Sequence, residues 1–250
     1  MPFTAAHPAI ILPLFRYCRW LSVTGLVTGA LAPDFEYFFR LQAMSTISHT
    51  LRGLFLFNLP VALLLATVFQ VVVRDAVVQQ LPVYFRKRAL AVPKVDWFAY
   101  LRYNWHLFIL SALIGSFSHL FWDSFTHYTG FFVRNYPILQ TPIQIGNKSL
   151  ILCRVLQHIS TLIGFLALLL YIHRSPIVKH ATSIQKPVHW LTFWAYVFFL
   201  GVSFMVCIVP IRIKYYMVHQ MGITLISGWL LTVILLSTIQ KLQKARQRYF

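Results

Sequence analysis

The chain alternates between long apolar runs and short polar, mostly basic, clusters. A helix that crosses a bilayer needs about 20 predominantly apolar residues. Five runs meet that requirement: Gly53–Val73, Leu107–Tyr128, Leu150–Ile172, Trp190–Ile211 and Met221–Ile239. Each is predicted to be a transmembrane helix, with Pro60 kinking the first, as membrane helices tolerate. The earlier stretch Pro8–Ala32 is long enough for one more span, but Pro13 and the polar run Arg16-Tyr17-Cys18-Arg19 interrupt it. It is either a single crossing or two short helices folded into a re-entrant hairpin, and the choice decides on which side His7 falls. The fold class expected is all-α, a polytopic transmembrane helical bundle of about five to seven hydrophobic segments. Residues 1–172 read as a membrane domain holding the candidate chemistry, and 173–250 as two further transmembrane helices with a basic tail. The region Val77–Asn104 reads as an amphipathic surface helix.

Composition supports the membrane reading. The chain is 58% hydrophobic and only 11% charged, with a mean hydropathy of +0.68. A soluble domain carries about 25% charged residues, so too few charges are present here to cover a water-exposed globule. The net charge of +17 is that of a nucleic-acid binder in size but not in arrangement. The basic residues flank apolar runs and do not gather in one patch. Membrane lipids, anionic ones above all, are the expected partners, and nucleic acid is not. Cys18, Cys153 and Cys207 lie far apart in apolar stretches, which predicts buried thiols and no disulfide frame. No pattern of basic, apolar and small residues marks a cleaved leader at the N-terminus.

Orientation follows from where Lys and Arg gather. If the five strong runs alternate, one side holds Arg74, Arg86, Lys87, Arg88, Lys94 and Arg102, then Arg174, Lys179 and Lys186, then Lys241, Lys244, Arg246 and Arg248. The other side holds only Arg40, Arg52, Arg134, Lys148, Arg212 and Lys214. The C-terminal tail is therefore expected in the cytoplasm, and the loops Pro33–Arg52 and Phe131–Ser149 outside.

The five acids narrow the chemistry. Asp75 and Asp96 belong to a basic loop and read as solvated charges. Asp34, Glu36 and Asp123 fall beside histidines at the predicted outer ends of spans. The first group is Ala32-Pro33-Asp34-Phe35-Glu36-Tyr37, followed by Ser48-His49-Thr50. The second runs from Ser118-His119 to Asp123 and His127. Four residues separate His119 from Asp123 and Asp123 from His127, so all three share one helix face. A carboxylate within a span costs on the order of 2.5–3.5 kcal/mol on insertion scales and requires a partner. A divalent metal shared by Asp34, His49, His119 and Asp123 would supply it, because imidazole nitrogen and carboxylate oxygen suit zinc and similar ions. The competing reading is a plain His–Asp hydrogen bond within the bundle. His127 either joins a second ion bridged by Asp123 or faces the aqueous loop. Glu36 is a candidate general base or extra ligand, and Arg52 a candidate partner for a phosphate. His106, His173, His180, His189 and His219 read as interfacial or packing residues.

These motifs carry a resemblance. The opening Met-Pro-Phe-Thr-x-x-His-Pro, the run Ala32–Phe38, Ser48-His49-Thr50-Leu51, Ser118–His127 and Leu156-Gln157-His158-Ile159-Ser160-Thr161 resemble an uncharacterised bacterial membrane family, domain of unknown function 4184. The likeness covers roughly Met1 to Ile172. More distantly the order of motifs is similar to the YdjM-type membrane-bound metal-dependent hydrolases and to the zinc-dependent phospholipase C and nuclease fold. The distant resemblance implies a zinc-dependent hydrolase of phosphoesters, possible substrates including lipids, in a bacterial inner membrane with its site facing outward. It also implies His7 as an early ligand and His158 as a later one, beside Asp34, His49, His119 and Asp123. One departure limits it: the carboxylate expected four residues after His158 is Leu162. One or two ions, not three, are therefore expected. A metal- or proton-handling transporter using the same residues, or a structural membrane protein, is the alternative.

Overall fold

The computed structural model describes residues 4–178, 188–212 and 217–247. The basic positions Lys179, Lys186, Lys214 and Arg248, together with His180 and the first three residues of the opening motif, lie outside them. Two 3-10 segments, Thr4–Ala9 and Leu12–Tyr17, precede α1 (Val23–Leu31). A 3-10 turn at Ala32–Asp34 leads into α2 (Phe35–Arg40). The next helical stretch joins a π-helical turn at Leu54–Asn58, α3 (Leu59–Val68), a second π-helical turn at Phe69–Val73 and α4 (Arg74–Gln79). Then come α5 (Val83–Ala89), α6 (Trp97–Thr126) and α7 (Phe131–Asn135). Strands β1 (Pro142–Ile145) and β2 (Lys148–Ile151) form an antiparallel hairpin with Pro142 opposite Ile151. The chain continues through α8 (Leu152–Arg174), α9 (Val188–Arg212) and α10 (Met217–Arg246).

Five helical stretches are long and apolar enough to cross a membrane: Leu54–Gln79, Trp97–Asn135, Leu152–Arg174, Trp190–Val209 and Gln220–Arg246. They coincide with the five predicted runs, and the protein is an all-α multi-pass membrane protein. The second stretch starts earlier than its apolar run and carries a kink at Asn104 (φ −124°, ψ 22°). The region Val77–Asn104 is not one surface helix. Pro82 and Pro93 lie in the breaks that separate α4, α5 and α6, since proline donates no backbone N–H and clashes with the preceding turn. The hairpin β1–β2 was not anticipated. Its turn is Gly146-Asn147, with Gly146 at φ +59°, where a side chain would be strained.

The chain divides into two compact units. One comprises Met1–Asp34, Thr46–Leu63 and Tyr103–Arg174; the other comprises Phe35–Ser45, Leu64–Arg102 and Ser175–Phe250. In the first unit, the stretch Pro8–Ala32 is the re-entrant hairpin and not a crossing. Ile11 from its outward arm is buried with Leu26 and Ala30 from its returning arm. Its two ends meet again at one cluster, described below. The polar turn between the arms is exposed, including Arg16 and Arg19.

Small residues hold this hairpin against α6. Gly25 and Gly29 are spaced by four, so they lie on one face of α1. A Cβ at Gly25 would come within 2.8 Å of the Phe108 carbonyl oxygen, and one at Gly29 within 2.2 Å of the Ala112 carbonyl oxygen. From the other side, a Cβ at Gly115 would come within 2.2 Å of the Leu26 carbonyl oxygen. Helices in a bilayer associate by such close backbone approach, because lipid supplies no hydrophobic drive between them. Two hydrogen bonds pin the register: the Ser22 backbone N–H donates to Ser111 Oγ at 2.7 Å, and Ser116 Oγ donates to the Gly29 carbonyl at 3.0 Å. α8 packs on the segment Thr4–Ala9 through Gly164, which faces Ala6 and Ala9.

In the second unit, α9 and α10 pack through Gly201 and Gly228, and a Cβ at Gly228 would come within 2.9 Å of the Gly201 carbonyl oxygen. Polar side chains tie α10 and α9 to the rest of the unit. Ser227 Oγ donates to the Phe38 carbonyl at 3.2 Å, and Trp194 Nε1 donates to the Gln80 carbonyl at 2.8 Å.

Candidate metal centre

The first unit gathers two carboxylates and four imidazoles. His7 comes from the N-terminal 3-10 segment, Asp34 from the turn after α1, and His49 from the loop before the first span. His119 and Asp123 come from the last turns of α6, and His127 from just past its end. His7, Asp34 and His119 are buried, and Asp123 nearly so. Burial, reinforced by the neighbouring His119, pushes the imidazole of His7 down to about 3, so it sits as a neutral base.

The distances describe a closed set. Asp123 Oδ2 lies 3.2 Å from His119 Nε2 and 3.4 Å from His49 Nε2. Asp34 Oδ1 lies 3.5 Å from the same His119 nitrogen and 3.7 Å from the same His49 nitrogen. The other oxygen of Asp123, Oδ1, lies 3.3 Å from His127 Nδ1 and 3.6 Å from His7 Nε2. The His7 ring stacks on His119 with centroids 3.6 Å apart and planes 14° apart. Two overlapping groups, His7–His119–Asp123 and Asp34–His49–His119, each bring their ligand atoms within 4.8 Å of one another and could hold a metal ion.

The surrounding residues orient this set. His119 Nδ1 lies 2.7 Å from the Ala30 carbonyl. A carbonyl only accepts, so Nδ1 carries the proton and the lone pair of a neutral His119 sits on Nε2, facing both carboxylates. The close crossing of α1 and α6 puts that carbonyl there. His49 is held by its neighbours: Ser48 Oγ contacts His49 Nδ1 at 2.9 Å, and the fully buried Asn58 donates through Nδ2 to the Ser48 carbonyl at 2.9 Å. A Cβ at Gly53 would come within 1.9 Å of the Ile47 carbonyl oxygen, so the loop carrying His49 closes directly over the start of the span.

Electrostatically the centre is unbalanced. Among the described residues, every ion pair of Asp34 and Asp123 is with a histidine. With neutral imidazoles the cluster carries two negative charges in a buried place. Asp34 Oδ2, Asp123 Oδ1, His119 Nε2 and both nitrogens of His7 are buried and make no hydrogen bond. Buried polar atoms are rarely left so.

Of the predicted site residues, the structure brings together His7, Asp34, His49, His119, Asp123 and His127. Three others stand differently. His158 is exposed on α8, because the inward face of that helix is Cys153, Gln157 and Gly164, and His158 is turned about 100° from Gln157. It is not a member of either ligand group. Glu36 belongs to the second unit and is buried, with its carboxylate bound by Arg40 Nε at 2.9 Å. Arg52 is exposed. His106 and His173 are exposed. Asn58 was missed by the sequence reading, although an amide inside the apolar run Leu54–Val68 was itself a signal.

The fold and the cluster together define a multi-pass helical membrane protein with a buried His/Asp group of metal-ligating character. The chain belongs to the family described as Domain of unknown function (DUF4184), whose model matches residues 1–246. The match extends well past the region of the motifs, through the last two spans. No curated protein and no solved structure matches the chain.

Proposed function

We propose that the cluster is a divalent-metal centre and that the protein is a membrane-bound metal-dependent hydrolase of a phosphoester, with a lipid as the substrate that its surroundings favour. The observation that carries the metal is the spacing of the donors. Bonds of about 2.0–2.2 Å in a tetrahedral site put neighbouring ligand atoms about 3.3–3.6 Å apart. The four contacts among Asp34 Oδ1, His49 Nε2, His119 Nε2 and Asp123 Oδ2 run from 3.2 to 3.7 Å. A protonated His119 bridging the two carboxylates would instead draw them to about 2.7–2.9 Å.

Zinc fits two imidazoles with two carboxylates. Asp34, His49, His119 and Asp123 would hold one ion, and His7 and His127 would be available to a further one beside Asp123. Such ions supply Lewis-acid polarisation of a phosphoryl oxygen and a nucleophile at neutral pH. The chain's own residues fix the donors: the Ala30 carbonyl sets the His119 tautomer, and Asn58 and Ser48 set the position of His49. Arg52 is exposed and three residues from His49, where it would pair a phosphate of an approaching lipid. Glu36 is not the free base that the motif suggested, since Arg40 neutralises it. The excess of Lys and Arg on one set of loops supports a cytoplasmic tail and an outward site, and the family resemblance a bacterial inner membrane.

A non-catalytic ion-handling or structural site is the second reading, favoured by the number of donors. Four imidazoles and two carboxylates can close the coordination of the ions they hold and leave no open position. The test is elemental metal content of detergent-purified protein beside Asp123→Ala, followed by a screen of lipid phosphoesters. Metal in the wild type that is lost from a folded Asp123→Ala protein, with turnover lost in parallel, is the expected result. Metal without turnover of any phosphoester selects the second reading. Metal-free wild type after zinc loading refutes a metal at the centre, catalytic or not, and leaves the cluster as His–Asp pairs that stabilise the bundle.

A further inference from the structure

The second unit carries a cavity of its own, about 570 Å³ in volume, between the end of the first span, the start of α6 and the end of α10. Lys94, Lys241 and Lys244 line it, with Asp75, Gln79 and Ser237. The charges within it do not cancel. Asp75 is already shared between Lys94 and Arg74. Lys241 Nζ donates to the Val71 carbonyl at 3.0 Å, and Lys244 Nζ to the Gln79 side-chain oxygen at 2.7 Å. Both acceptors are neutral, so two ammonium charges face the cavity without an acidic partner among the described residues. Asp96, the other acid in the wall, caps the start of α6 by accepting from the Ala99 backbone N–H at 3.1 Å. Ser237 is fully buried, and its hydroxyl makes no hydrogen bond. Each ammonium has three donors and uses one.

A surplus of ammonium donors beside an idle buried hydroxyl is a site for an oxyanion. The volume exceeds that of a bare phosphate: at about 30 Å³ per water it holds many solvent molecules. Val71, Val72 and Phe98 line the cavity together with the polar residues, so it suits a ligand that carries apolar atoms as well as a charged head. Basic pockets between transmembrane helices hold anionic headgroups for the same reasons.

We propose that this cavity binds a phosphate group, that of an anionic phospholipid headgroup or of a soluble phosphate compound, through Lys241, Lys244 and the Ser237 hydroxyl. The site is independent of the metal centre.

The experiment is native mass spectrometry of the full chain in a neutral detergent. It is titrated with dihexanoyl phosphatidic acid, with dihexanoyl phosphatidylcholine as the zwitterionic control and orthophosphate as competitor. Wild type takes up one phosphatidic acid at least about tenfold more tightly than phosphatidylcholine, and Lys241→Gln with Lys244→Gln removes that preference. Ser237→Ala weakens binding by a smaller factor, and Asp123→Ala leaves it unchanged. If the double variant does not fold, Lys241→Gln alone and Ser237→Ala carry the test. Displacement by orthophosphate assigns the site to soluble phosphate compounds, and its absence to the lipid headgroup. Equal uptake of the two lipids, or a folded lysine variant that binds phosphatidic acid as wild type does, overturns the proposal and leaves the lysines serving only the last turn of α10.

Discussion

Replacing Gly29 by alanine should disable the metal centre without touching any of its ligands. The added Cβ would lie 2.2 Å from the Ala112 carbonyl oxygen and 2.8 Å from its carbonyl carbon, whereas ordinary contact begins at 3.4 Å. Both obstacles are backbone, so neither can rotate away, and α1 and α6 must part by about 1.2 Å, the difference between 3.4 and 2.2 Å. Overpacking of this kind costs about 1–3 kcal/mol. The same displacement carries the Ala30 carbonyl out of reach of His119 Nδ1, now 2.7 Å away, losing about 0.5–1.5 kcal/mol more. Alanine regains about 1 kcal/mol of helix propensity over glycine, which leaves a net loss of about 0.5–3.5 kcal/mol. Gly222→Ala is the control, because a Cβ there meets nothing within 4 Å and only the propensity gain remains. Denaturant unfolding in detergent, followed by tryptophan fluorescence and paired with elemental analysis, reads both effects. A Gly29→Ala protein as stable as Gly222→Ala, with full metal content, would show that the close crossing does not support the centre.

Three further outcomes are expected. Asn58→Leu removes the donor that holds the Ser48 carbonyl and should cost about 1–3 kcal/mol, with metal affinity lowered but not abolished in a zinc titration. His158→Ala should leave metal content and melting temperature unchanged, since the side chain is exposed on α8; a loss of metal would place His158 in the centre after all. Stripping metal with a strong chelator should lower the thermal midpoint of the wild type, because it leaves the charges of Asp34 and Asp123 buried without a cation, and should have no effect on Asp123→Ala.

The five spans were legible because length and hydropathy are properties of a single segment. The group Asp34, His49, His119, Asp123 and His127 was legible for a related reason: an acid in an apolar chain needs a partner, and few partners were within reach. His7 was not, since its place depends on whether residues 8–32 turn back. That is decided by Gly25 and Gly29 meeting Ser111 and Ala112, and Gly115 meeting Leu26, contacts between segments far apart in the chain. His158 failed for the opposite reason. A motif places a residue along a helix, but one step of about 100° separates the buried Gln157 from the exposed His158. Glu36 read as a free carboxylate because its pairing with Arg40 was one of several open to it.

The bond from His119 to the Ala30 carbonyl spans 89 residues of chain. A ribosome adds roughly 5–20 residues per second, so Asp34 leaves it roughly 5–20 s before His119 and Asp123 follow. For that interval the acid has no imidazole from α6 to face, and the short hairpin before it has no α6 to lean on. The N-terminal arm must therefore wait at the water interface or within the insertion machinery. Docking of the arm comes only after the second span is in place, so the proposed metal would be loaded at a late step in the birth of the protein.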